Sequence, residues 1–110
     1  MTRLERGGVV IARMPNDGKA ARPALVIRSD ALAATDWVAL LPFTSDPDLA
    51  KMPYWLKVEP TPAKGLERPS WLMVDWPQTV WLSRIDRVIG ALDKTTMAKV
   101  TAQLAAALGV

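Results

Sequence analysis

The chain has 110 residues, enough for one modest core, and 50% of them are hydrophobic, which argues for a packed fold and against disorder. Fourteen Lys and Arg against 11 Asp and Glu give a formal charge of +3, a mild bias that suits nucleic acid or an acidic partner without singling out either. With no cysteine, disulfides and thiolate-bound zinc are excluded, and with no histidine the usual general base and most transition-metal sites are gone.

The opening Met1-Thr2-Arg3-Leu4-Glu5-Arg6 has no apolar signal region, and no run approaches the roughly 18 apolar residues of a membrane span. The expectation is a cytoplasmic protein away from membranes. Val9–Met14, opened by Gly7-Gly8, predicts a first strand, and Pro15-Asn16-Asp17-Gly18 a turn. The polar loop through Asp17 and Lys19 can cover a ligand.

Arg22-Pro23-Ala24-Leu25-Val26-Ile27 follows, and the rest of the chain is organised around it. Pro23 fixes its own φ and pushes Arg22 out of the helical region. The apolar run behind it reads as a strand buried on both faces. Its guanidinium is either a surface charge ahead of an ordinary strand or a group aimed at a phosphate or carboxylate.

Ser29-Asp30 can cap one helical turn through Ala34. Trp37–Leu41 predicts a strand ending at Pro42-Phe43-Thr44-Ser45, whose hydroxyls can donate to an oxyanion or cap a turn. After a loop over Asp46–Pro53, Tyr54–Glu59 alternates as a strand, with Trp55, Lys57 and Glu59 on one face and Tyr54, Leu56 and Val58 on the other. Pro60–Leu66 reads as a connection. Ser70–Asp75 predicts a strand ending in a carboxylate, broken by Trp76-Pro77, and Gln78–Leu82 and Arg87–Gly90 two more.

The period then changes. Asp93 is an N-cap, an Ala-rich helix runs to Leu108, and Gly109 stops it. Met97, Val100, Leu104 and Leu108 form an apolar stripe to lie on the sheet. Short antiparallel strands without crossover helices predict a mainly β fold, a small partly open barrel with a C-terminal α-helix, as one domain over residues 1–110.

The chain has no phosphate-binding Gly-rich loop, no dinucleotide fingerprint and no histidine for metal or serine catalysis. What remains is Arg22, Thr44, Ser45, Asp17 and Asp75, with Lys19 nearby. Arg and Thr suit one task, holding a phosphodiester as charge builds on its oxygens. RNA supplies its own nucleophile, the 2′-hydroxyl, so orientation and charge stabilisation can cleave it without a metal. The proton acceptor would then be a carboxylate, Asp75 or Asp17, or a substrate phosphate oxygen. Asp75 has a structural reading too, as the cap of the turn at Trp76-Pro77. Trp37, Trp71 and Trp81 read as core or dimer packing. Trp55, beside Lys57, and Trp76, in a loop, read as surfaces for an unpaired base.

Five stretches in order resemble the MazF/PemK toxins: Arg6-Gly7-Gly8-Val9-Val10, Arg22–Ile27, Leu41–Ser45, Val74–Val80, and Ile89–Asp93 with the final helix. The resemblance covers nearly the whole chain. It implies an SH3-like barrel, a homodimer, and a metal- and cofactor-independent, sequence-specific endoribonuclease acting on single-stranded RNA. Its products would be a 2′,3′-cyclic phosphate and a 5′-hydroxyl, and a cognate acidic antitoxin would occupy the RNA groove. The family's catalytic Arg and Thr fall on Arg22 and Thr44, the following hydroxyl on Ser45, and the Asp after the apolar strand on Asp75. Lys19, Ser45, Trp76, Gln78 and Asp17 are then expected to bind RNA.

The chain departs from the family at three places. Gly7-Gly8 replaces Gly-Asp. Asp75-Trp76-Pro77-Gln78 replaces Asp-Gln-x-Arg, so a cation is lost at Gln78. The Glu common in the loop before the Arg is absent, leaving Asp17 as the nearest carboxylate. An alternative reading is a catalytically weakened RNA- or antitoxin-binding module. A CcdB-like gyrase poison is disfavoured, because those toxins use an aromatic residue near the chain end and this chain closes on Ala107-Leu108-Gly109-Val110.

Overall fold

The computed structural model describes residues 4–15, 20–46, 48 and 52–110. Among the described residues seven strands precede one α-helix: β1 (Gly8–Arg13), β2 (Ala21–Val26), β3 (Trp37–Thr44), β4 (Leu56–Val58), β5 (Ser70–Leu72), β6 (Gln78–Trp81), β7 (Ile85–Ala91) and α1 (Lys94–Leu108). All pairings are antiparallel, in the order β4-β5-β3-β2-β1-β7, with β6 also on β3. The expected mainly β architecture with a terminal helix is what forms. Its ladder is open, with β4 and β7 at the ends.

The apolar runs of β1, β2 and β3 are continuous because both faces of the sheet are covered. Val9, Leu25 and Leu41 stand opposite one another on the three strands and are fully buried. They join Phe43, Leu72, Val74 and the helix residue Val100 in one cluster. Val10, Ala24, Val26, Val38, Leu40 and Val80 build a second cluster from the alternate positions.

Two prolines sit inside strands where a missing N–H does least harm. Pro23 lies one residue before the β2–β3 ladder begins at Ala24. Pro42 lies where the far side of β3 changes partner, from β6 over Trp37–Leu40 to β5 over Phe43–Thr44. Its carbonyl accepts the Met73 N–H at 2.9 Å.

Sequence alternation overran some strand ends. Tyr54 lies in a turn with φ of +66°, so β4 begins at Leu56 and not at Tyr54. β5 stops at Leu72, ahead of a turn leading to Trp76-Pro77. β7 instead begins two residues earlier than expected, at Ile85. On α1, Met97, Val100, Leu104 and Ala107 face the core, while Leu108 is 54% exposed. At about 100° per residue Leu108 stays within about 20° of Met97 on the stripe, so its exposure reflects its place as the last residue of the helix and not its angular position.

The open ladder is drawn together by a backbone crossing. The Ala91 N–H donates to the Ala63 carbonyl at 3.0 Å. Gly65 (φ +74°) faces the Ile89 carbonyl, and Gly90 faces the Lys64 carbonyl. A Cβ at either glycine would collide with that backbone. Gly90→Ala is therefore expected to destabilise the fold by about 1–3 kcal/mol, read from urea or thermal unfolding.

Asp93 caps α1. Its Oδ1 accepts the Thr96 hydroxyl at 2.6 Å and its Oδ2 accepts the Thr96 N–H at 3.2 Å. Those bonds, the hydroxyl first, hold its pKa below the usual carboxylate value. A depressed folded-state pKa stabilises above the unfolded-state value and is lost as pH falls through the folded one. Asp93→Ala is expected to melt earlier than the parent at pH 7. The gap should narrow as pH is lowered below about 4.

Candidate active site

The site is assembled by strand register. β2 and β3 pair through Ala24 and Pro42, Leu25 and Leu41, and Val26 and Leu40. Arg22 lies on β2 two residues before this ladder begins, and Thr44 on β3 two residues past Pro42, so the two stand at the same end of the strand pair. Both are half-buried at the sheet's rim and line one groove of about 480 Å³. The groove is also lined by Ser45, Glu67, Arg68, Ser70 and Arg87, over an apolar floor that includes Ile11, Pro23, Phe43 and Ile89.

Thr44 is locally positioned. Its Oγ1 accepts the Asp46 N–H at 3.2 Å, so the hydroxyl proton is the group left to donate. The guanidinium of Arg22 adds a permanent charge and parallel donors at the same rim. A rigid cation and a tethered hydroxyl over an apolar floor suit a tetrahedral oxyanion better than a planar or neutral ligand.

Of the residues expected from sequence, Arg22, Thr44 and Ser45 meet in this groove. Asp17 and Lys19 lie outside the described residues. Asp75, Trp76 and Gln78 do not line the groove. Asp75 accepts the indole N–H of Trp55 at 2.6 Å, which ties the approach to β4 to the turn after β5. Trp76 is 53% exposed. Gln78 opens β6, opposite Leu40.

Trp37 and Trp81, expected in core or dimer packing, are on the surface of the chain and not in its core. Trp37 and Trp81 are cross-strand neighbours on β3 and β6 whose rings stack with centroids 3.5 Å apart. They are 44% and 50% exposed, because the alternate positions Val38 and Val80 take the buried side. Trp71 is half-buried on β5, and its ring centroid lies 5.7 Å from the ammonium of Lys57.

Sequence reading missed Glu67, Arg68 and Arg87. The first two fell in a stretch left without an element, just before Ser70. Arg87 opens the last strand expected from sequence, and a cation within an apolar β run is a signal available there. Among the described residues no cluster of three His, Cys, Asp or Glu could hold a metal ion. Among them, too, no helix is long and apolar enough to cross a membrane.

Residues 5–108 match the sequence profile of the PemK-like, MazF-like toxins of type II toxin–antitoxin systems. A probable endoribonuclease MazF of Mycolicibacterium smegmatis (strain ATCC 700084 / mc(2)155) is 37% identical over 110 residues, covering 97% of this chain and 98% of that one. An endoribonuclease solved in complex with its cognate antitoxin from a mycobacterial species superposes with a TM-score of 0.78 at 24% identity, over 100% of this chain and 97% of that one. A MazE–MazF structure from Deinococcus radiodurans gives a TM-score of 0.77 at 22% identity, over 100% of this chain and 99% of that one. At those identities the solved structures establish a shared fold.

Proposed function

The chain belongs to the PemK-like, MazF-like toxins of type II toxin–antitoxin systems, and from that premise we propose that the Arg22–Thr44 groove is where it cleaves single-stranded RNA. It is an endoribonuclease toxin of the MazF type. The observation that carries the site assignment is the presence of Arg22 and Thr44 in one groove, on neighbouring strands.

In this mechanism the 2′-oxygen of the substrate attacks the adjacent phosphorus while the bond from phosphorus to the 5′-oxygen breaks. A 2′,3′-cyclic phosphate and a 5′-hydroxyl result. Arg22 donates to the non-bridging oxygens as their charge grows, and the Thr44 hydroxyl donates beside it. The 2′-hydroxyl proton passes to a carboxylate, and the leaving 5′-oxygen must gain one. Glu67 stands in the groove itself. Asp75 stands on the turn beyond β5, bonded to Trp55. Glu67→Gln is expected to slow cleavage by about 10²–10⁴-fold, the usual share of a proton-transfer group, and by more than Asp75→Asn.

Arg68 and Arg87 give the groove further cations to set against the one lost at Gln78. The same cations suit an acidic antitoxin laid along the groove; MazF-family neighbours have been solved with their antitoxins. We assign residues 1–110 to one toxin domain, acting as a homodimer in the cytoplasm. The exposed Trp37–Trp81 stack supports an interface on that side of the sheet.

Labelled mixed-sequence RNA incubated with the protein in EDTA should yield discrete cuts ending in cyclic phosphate. Arg22→Ala should reduce cutting at least 10²-fold with an unchanged circular dichroism spectrum. Cutting at the parent rate by that variant would remove Arg22 from the mechanism.

A further inference from the structure

Resting on the nuclease reading, we propose that Trp71 is a stacking platform for the nucleobase beside the scissile phosphate, with Lys57 holding the phosphate next to that base. Strand register places the two side chains. Thr44 stands opposite Trp71, and Trp71 opposite Lys57. Thr44, Trp71 and Lys57 thus form a transverse row on three strands, and Arg22, two residues before the β2–β3 ladder begins, lines the same groove as Thr44. Directly opposed residues share a face of the sheet, at about 4.8 Å per strand.

The flanking positions support this placement. Ser70 and Leu72 are buried at 5% and 0% exposure, so Trp71 between them points to the other side. The indole is half-buried, anchored yet accessible. The Lys57 ammonium lies 5.7 Å from its centroid, near the outer limit of a cation–π contact. Lys57 also pairs with Glu59 at 3.3 Å, both side chains being more than half exposed. Such a solvated pair is weak, and a phosphate can take its place.

An aromatic ring followed by a cation, in line with a phosphate-gripping pair, is how single strands are tracked without base pairing. A nucleobase is favoured over an acidic peptide as the occupant. The base is covalently tied to the phosphate that Arg22 and Thr44 hold, one strand away from the ring. Trp71 and Lys57 lie outside the residues that line the 480 Å³ groove and share the face of Thr44 at its rim, on the strands toward β4.

The test is binding of a fluorescein-labelled, mixed-sequence 2′-O-methyl RNA, which cannot be cut because its internal nucleophile is capped. Trp71→Leu should weaken binding about tenfold, and Trp71→Phe, which keeps a ring, by no more than about threefold. Lys57→Met should lower the slope of log affinity against log salt by about 0.7, the signature of one lost single-strand phosphate contact. If Trp71→Leu binds within about twofold of the parent, the platform is refuted. If Trp71→Leu does not fold, Lys57→Met decides, an unchanged slope refuting the proposal. Loss of binding to an acidic peptide, with RNA binding intact, would assign the surface to a protein partner and overturn it. Failure of the nuclease reading shows separately, as cutting of unmodified RNA by Arg22→Ala.

Discussion

The pairing of β2 with β3 is the contact on which the rest depends. Three opposed pairs bury Leu25 and Leu41 on one face and Ala24, Val26 and Leu40 on the other. A slip of one residue would send each of these to the wrong side, so burial on both faces holds the register tightly. That same ladder ends two residues short of Arg22 and Thr44 and brings both to one rim of the sheet. The chemistry at the rim is thus held in place by hydrophobic burial several residues away.

The rim concentrates function because the interior has no room for it. A guanidinium cannot shed its charge, so it belongs where a strand leaves the core and solvent or a ligand can reach it. Pro23 marks that exit on β2. Thr44 ends β3, where the chain turns and the Asp46 N–H is at hand to orient its hydroxyl. Strand ends give access to ligand, and the strands behind them supply rigidity.

Much of this could be read from the residues. Pro23 and the apolar run behind it locate β2 and the place of Arg22 at its entrance, and Asp93 with Gly109 bound α1. Single residues overruled the pattern elsewhere. Tyr54 adopts a left-handed turn that period-2 alternation does not reveal. Trp37 and Trp81 are large and apolar, yet their parity on β3 and β6 puts them outside, beside each other. Glu67, Arg68 and Arg87 escaped notice because their convergence depends on a loop crossing β7. Contacts between segments distant in sequence leave little local trace.

That crossing shapes the groove itself. Gly65 and Gly90 let the chain at residues 63–65 lie against β7 closely enough for Ala91 to bond Ala63. Glu67 and Arg68 follow directly from this clasp, and Arg87 comes from the strand being clasped. The two walls are joined through main-chain atoms, which side-chain rotation cannot loosen. The width available to a nucleic acid strand is accordingly a property of the backbone, and evolution can vary the charges along the walls while the gauge of the channel stays the same.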